Sequence, residues 1–253
     1  MDINLKSHIA LVTGGSGQLG RVICRTLADC GADIIVHYHK NDSQAQKLID
    51  ELHTKGVRAI KIQADITNEA SILKMKSFIL ENFAPPDILI NNAVIQYKWV
   101  SVLEQNLSDY ESQFRSCVLH NVMMVKAFVP AMIAKKWGRI IAINTECAMQ
   151  NFPHQSAYVA GKRGMDGVLR VLAKEIGEHQ ITVNQVAPGW MISDDVPDGD
   201  SEGERAYKAA VPLKRRGYDQ DVANLVIFLA SDLANFISGQ YITVSGGNVM
   251  PTI

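Results

Sequence analysis

The chain has 253 residues, 47% of them apolar and 20% charged, with a formal net charge of −1 at neutral pH. That length holds one large domain or two small ones, and the composition is ordinary for a protein with a sizeable buried core. Balanced charge without blocks of one sign excludes the electrostatic footprint of a nucleic-acid or anionic-membrane binder.

In chain order, the apolar run IALVT (9–13) predicts a first strand, and 19–30 carries apolar residues at helical spacing, ended by Gly31. Between them lies TGGSGQLG (13–20), four glycines at a strand-to-helix junction. Backbone N–H groups at such a helix start can hold a pyrophosphate, and glycine lets the backbone approach it. A second strand, DIIVH (33–37), precedes a helix over 43–55 with a cap within Asn41–Ser43. RAIKI (58–62), a helix over 69–81, DILIN (87–91) and a helix over 109–135 come next. RIIAIN (139–144), a helix over 155–178, ITVNQV (181–186), a helix over 219–230 and YITVS (241–245) complete the pattern. Strand–helix alternation along the whole chain predicts an α/β fold. Its sheet is parallel and doubly wound (a Rossmann fold), with about seven strands flanked by helices in one domain over 1–253. The polar, Pro- and Gly-punctuated segment 191–215 reads as a lid over an active site.

Tyr158 and Lys162 stand four apart on the helix over 155–178, so their side chains share one face. A free phenol with pKa near ~10 is a poor acid or base at neutral pH, and a neighbouring ammonium favours the phenolate. That pair is expected to lower the Tyr158 pKa and make it a proton carrier.

These segments together resemble the short-chain dehydrogenase/reductase family in its compact, single-domain branch. The motifs are TGGSGQLG, ADIT (64–67), NNA (91–93), YVAGK (158–162), APG (187–189) and VSGG (244–247), in family order over the whole chain. The resemblance implies an oxidoreductase that interconverts a carbonyl and a secondary alcohol by hydride transfer. Tyr158 would exchange the proton, Lys162 would tune it and hold the nicotinamide ribose, and Thr145 would orient the substrate oxygen. Thr145 sits thirteen residues before Tyr158, where the family keeps a serine, and it retains the hydroxyl. For the cofactor the resemblance implies Gly14, Ser16, Gly17, Gln18, Leu19, Tyr38, His39, Lys40, Asp65, Ile66, Asn92, Ala93, Tyr158, Lys162, Pro188, Gly189 and Met191. Asp65 would contact the adenine, and Ser193 stands where relatives bind the carboxamide. Relatives with similar ends include 3-oxoacyl-carrier-protein reductases and sugar or polyol dehydrogenases, and the motifs do not choose among them.

The departures are specific. The loop fails the compact-branch pattern T-G-x-x-x-G-x-G at Gln18, and satisfies the T-G-x-x-G-x-x-G of sugar-nucleotide epimerases through Gly14, Gly17 and Gly20. Length and the later motifs favour the compact branch, with Gly17 supplying the close approach. Tyr38 replaces the aspartate that NAD-dependent relatives use for the ribose hydroxyls, and His39 and Lys40 follow. Cations without a facing carboxylate suit a 2′-phosphate, so NADP(H) is expected over NAD(H). Cys117 stands where the family keeps an asparagine that supports a water-borne proton path, with Asn121 one turn later, and Val94 replaces a glycine near the cofactor. These departures motivate a rival reading, a nucleotide-binding sensor or assembly partner with little turnover.

His154 and Gln155 precede Tyr158 and are expected along the substrate cleft, and Trp190 either shields the nicotinamide or packs in the core. The N-terminus MDINLKSHIALV is too short an apolar run for a secretory signal, and no run approaches the ~20 apolar residues of a membrane span. Cys24, Cys30, Cys117 and Cys147 form no C-x-x-C pair, which fits reduced thiols in a cytoplasmic protein. The seven histidines show no metal-binding spacing, so no metal is expected. Family context makes the helices over 109–135 and 155–178 a contact between copies, and a homotetramer the expected assembly.

Overall fold

Seven strands rich in Ile and Val stack edge to edge at the centre of the computed structural model, which describes residues 3–194 and 196–251. They are β1 (Ile9–Val12), β2 (Asp33–Tyr38), β3 (Ala59–Gln63), β4 (Ile88–Asn91), β5 (Gly138–Ile143), β6 (Ile181–Pro188) and β9 (Tyr241–Val244). All pair in parallel in the order β3-β2-β1-β4-β5-β6-β9. The central strands β1, β4 and β5 are buried along their whole length, which is why they read as continuous apolar runs without alternation.

Each face carries its own core. On one side α1 (Gln18–Asp29), α2 (Asp42–Thr54) and α9 (Asp219–Ala230) pack through Leu27, Leu48 and Val226. On the other, α3 (Glu69–Asn82), α5 (His120–Lys135) and, after the short α6 (Cys147–Gln150), α7 (Ser156–Ile176) pack through Ile79, Phe128 and Leu169. Each such side chain contributes roughly 1.5–3 kcal/mol of burial. Local chemistry sets the ends of α1 and α2: the Asn41 side chain accepts from the Gln44 amide, and Gly31 takes φ +91° after α1. The strand order reverses between β1 and β4, and that reversal opens a crevice at the carboxyl ends of the strands.

Two segments differ from the sequence expectation. The helix expected over 109–135 starts as α4 (Leu107–Gln113), loosens into a π-helical turn at Phe114–Leu119 and resumes as α5. The whole stretch is long and apolar enough to cross a membrane by length and composition alone, yet Met124, Phe128 and Met132 bury it against the sheet. Segment 191–215 is more ordered than its composition suggested. It contains β7 (Met191–Ile192), which pairs with β8 (Gly217–Tyr218), and α8 (Glu202–Ala210). Ser201 and Glu204 form a capping box that starts α8. Asp195, within the expected lid, lies outside the described residues.

Candidate active site

Thr13 follows β1 and fastens it to the end of β4. Its Oγ1 donates to the Ile90 carbonyl at 3.3 Å and accepts from the amides of Asn92 (2.9 Å) and Ala93 (3.1 Å). From there the chain turns through Gly14 at φ +63°, a conformation that favours glycine. At Gly20 the constraint is space: a Cβ there would sit 2.2 Å from the Gly14 carbonyl oxygen. Gly17 caps α1 with no side-chain hydrogen bond, so the first-turn amides face the crevice. There Gln18 Nε2 is buried without a partner.

The loop is pinned from below by the histidine that ends the run DIIVH. His37 is buried, its Nδ1 accepts from the Gly14 amide at 3.0 Å, and its Nε2 donates to the Ala64 carbonyl at 3.1 Å. Both ring nitrogens are thus occupied in the neutral tautomer. Burial, with the charge of His39 adding to it, pushes its pKa down to about 4.

A cleft of about 570 Å³ runs along this loop. It is lined by the expected Gly14, Ser16, Gly17, Gln18, Leu19, His39, Lys40, Asp65, Ile66, Asn92 and Ala93. Val94 lines it too. Burial opposes ionisation of Asp65, but the hydroxyl and amide of Thr67 at 2.7 and 2.8 Å bring its carboxyl below the usual value. Lys40 is exposed and joins no ion pair among the described residues. Tyr38 is a correction: it is buried in the core beside α2, with Lys61 Nζ 5.8 Å from its ring, and does not line the cleft.

The cleft meets a second, larger cavity of about 840 Å³ at Gln96, which lines both. Thr145 and Tyr158 stand on its wall with Gln155, Gly189 and Trp190. Thr145 follows β5, where the Asn144 side chain accepts from its amide at 2.9 Å. Tyr158 is held at the start of α7 by its own amide, which donates to the Tyr97 hydroxyl at 2.7 Å, and its ring stacks on Trp99 at 6.0 Å. Lys162 is buried one turn on, its Nζ donating to the Ile143 carbonyl at 2.5 Å and lying 5.8 Å from the Tyr158 ring centroid.

The expected lowering of the Tyr158 pKa is corrected. Burial dominates and raises it, and a hydrogen bond with Thr145 opposes that only in part. Burial likewise lowers the pKa of Lys162. In the protein alone both groups are pushed toward their neutral forms.

Pro188 and Met191 line neither cavity; the Pro188 carbonyl accepts from the Glu146 amide at 2.9 Å, and the Met191 carbonyl accepts from Arg216 at 2.6 Å. His154 is exposed at φ +70° and lines neither, whereas Trp190 is 38% exposed and so is no core residue. Ser193 lies outside both linings. Cys117 is buried in the core, and its carbonyl, within the π-helical turn, accepts from Asn121 Nδ2 at 2.7 Å. Asn121 Oδ1 in turn accepts from Asn91 at 2.7 Å. Beside them Asn91 Oδ1, Ser116 Oγ and His120 Nε2 are buried without partners. Sequence reasoning missed Glu146 and Tyr207, which also line the second cavity; nothing marked them except that Glu146 follows Thr145.

The sequence profile described as Enoyl-(Acyl carrier protein) reductase matches residues 16–248. The 3-oxoacyl-[acyl-carrier-protein] reductase of Staphylococcus epidermidis is 33% identical over 251 residues, 95% of this chain and 98% of that protein. A blue fluorescent protein from a metagenomic library, solved in complex with NADPH, superposes with a TM-score of 0.89 at 32% identity, covering 98% of this chain and 100% of that one. A 7α-hydroxysteroid dehydrogenase complexed with NADH and 7-oxo glycochenodeoxycholic acid superposes with a TM-score of 0.90 at 28% identity, covering 98% and 96%. The chain belongs to the short-chain dehydrogenase/reductase family of oxidoreductases.

Proposed function

We propose that this short-chain dehydrogenase/reductase interconverts a carbonyl and a secondary alcohol, using NADP(H) in preference to NAD(H). The observation that carries the reading is a cleft along the glycine loop that shares Gln96 with a second cavity, on whose wall Thr145 and Tyr158 stand, with Lys162 buried one helical turn beyond Tyr158. The residues of the first cleft fit a dinucleotide: the Gly14–Gly20 approach leaves room only for backbone, and Gln18 Nε2 is a buried donor without a partner. Gly14, Ser16, Gly17, Gln18 and Leu19 would hold the pyrophosphate, and Asp65 and Ile66 the adenine. His39 and Lys40 are solvent-exposed at the cleft, where a 2′-phosphate finds donors and no carboxylate at position 38. One similar structure holds NADPH and another holds NADH, so the preference rests on these two side chains.

A nicotinamide held in the first cleft would supply or accept the hydride. Thr145 holds the substrate oxygen. Tyr158, kept protonated by its burial, donates to that oxygen as negative charge develops on it. The Lys162 ammonium beside the ring then stabilises the phenolate that remains. The segment 191–215 acts as the lid, its Tyr207 reaching over the cavity to Glu146. A homotetramer fits the apolar side chains left exposed on α4, the π-helical turn and α7, namely Leu107, Phe114 and Val171, and a cytoplasmic location fits the unpaired cysteines.

The test is a panel of ketones, aldehydes and secondary alcohols, followed through reduced-nicotinamide absorbance with both cofactors. Consumption of NADPH faster than NADH on at least one carbonyl supports the reading. Tight NADPH binding without consumption across the panel favours the nucleotide-binding rival instead.

A further inference from the structure

The larger cavity is walled by aromatic rings around a single carboxylate. Trp99, Phe152, Tyr158, Trp190 and Tyr207 line it, and Trp99, Phe152 and Trp190 stay 44%, 54% and 38% exposed. Among the described residues no lysine, arginine, histidine or aspartate lines it, and Glu146 is its one carboxylate. Glu146 is itself buried, at 3% exposure. Its Oε1 accepts from the Tyr207 hydroxyl at 2.9 Å and its Oε2 from Asn248 Nδ2 at 3.1 Å, with the Trp190 amide also nearby.

All of these donors are neutral, and Glu146 forms no ion pair among the described residues. Buried carboxylates are ordinarily matched by a cation, because removing an anion from water is costly. Here burial pushes the Glu146 carboxyl above its usual range, as expected of an anion with no opposite charge beside it. Aromatic faces attract cations through their negative quadrupole, most strongly where water is excluded. The guanidinium that reaches the aromatic wall is already paired. Arg216 lies over the Trp190 ring at 4.6 Å, but it is paired with Glu204 at 2.8 Å and does not line the cavity.

We propose that this cavity selects carbonyl or alcohol substrates that carry an ammonium group, with Glu146 and the aromatic wall holding the charge. The proposal rests on the oxidoreductase reading above. It assigns Glu146 as a specificity residue that touches substrate, and it disfavours substrates bearing a carboxylate at the same end, which would face Glu146 directly.

Three ketones of similar length separate the possibilities: dimethylaminobutanone, the isosteric methylhexanone, and levulinate. With NADPH, kcat/KM for dimethylaminobutanone should exceed that for methylhexanone by about tenfold, the scale of a partly desolvated cation–aromatic and carboxylate contact, with levulinate lowest. In Glu146→Gln the ratio of the first two should fall to about one, because the amide retains hydrogen bonding and loses the charge. Equal turnover of the two in the parent protein overturns the proposal, as does an unchanged ratio in Glu146→Gln. A second readout needs no turnover: tryptophan fluorescence titrated with benzyltrimethylammonium and, in parallel, with benzoate. Saturable quenching by the cation that weakens in Glu146→Gln supports the proposal, and equal responses to cation and anion overturn it. If none of the three ketones is reduced, the wider carbonyl panel decides the oxidoreductase reading, and the fluorescence titration still decides the cation site.

Discussion

Replacing His37 with glutamine removes one titration from beneath the glycine loop while keeping its two hydrogen bonds. The glutamine carbonyl can accept from the Gly14 amide, and its NH2 can donate to Ala64, as the two ring nitrogens do now. His37 has a folded pKa of about 4 against an ordinary value of 6.5, so the folded protein holds the neutral ring. Its contribution is therefore intact above pH 6.5 and is lost as pH falls toward about 4. At about 1.36 kcal/mol per unit of pKa difference, the parent should lose about 2 kcal/mol through this residue between pH 7.5 and pH 5. His120, whose pKa burial lowers to about 3, adds a loss in the same direction, and Asp219, raised by burial to about 6, opposes it. Both are present in parent and variant, so the difference between the two proteins isolates His37. The assay is urea unfolding at the two pH values, and NADPH affinity should differ little between parent and variant over this range, because a ring with a pKa of about 4 stays mostly neutral at pH 5. Equal acid losses in parent and His37→Gln would refute the reasoning.

Gly20→Ala places a Cβ against the Gly14 carbonyl and should destabilise the protein by more than about 3 kcal/mol or abolish NADPH binding, read by urea unfolding and fluorescence titration. Lys40→Ala should shrink the ratio of NADPH to NADH affinity by about tenfold, the scale of a partly solvated charge-assisted contact, and equal affinities in the parent would contradict the phosphate assignment. Cys117→Asn introduces an amide into a packed core whose neighbouring carbonyl already serves Asn121, so it should cost about 1–3 kcal/mol without raising turnover. A rise in turnover, with a solvent isotope effect that shrinks, would instead show that the thiol limits a proton path in the parent.

The strands were legible because a doubly covered parallel sheet demands unbroken apolar runs, and all seven expected strands are found within a residue or two of where those runs lie. The cleft was legible for a similar reason. A helix start that must lie against phosphate has few solutions, and glycine spacing betrays them. Tyr38 escaped because β2 extends one residue further than DIIVH suggested, which carries the side chain into the core beside α2. The π-helical turn left no local mark, since Phe114–Leu119 keeps ordinary helical residues and the loosening accompanies the press of α7 at Gly161, where a Cβ would stand 2.9 Å from the Gln113 carbonyl. Glu146 and Tyr207 are 61 residues apart in the chain, and no short pattern announces such a pair. The Tyr158 pKa was misjudged because spacing reveals the lysine beside it and conceals how deeply both are buried.

The proton carried by Tyr158 is the centre of this account, and Tyr158→Phe tests it most directly. The variant keeps the ring that stacks on Trp99 and loses only the hydroxyl. NADPH binding, followed by fluorescence titration, should stay within about twofold of the parent, while turnover of a ketone the parent reduces should fall by about a hundredfold or more. Parent-level turnover in Tyr158→Phe would contradict the account and assign the proton to another group.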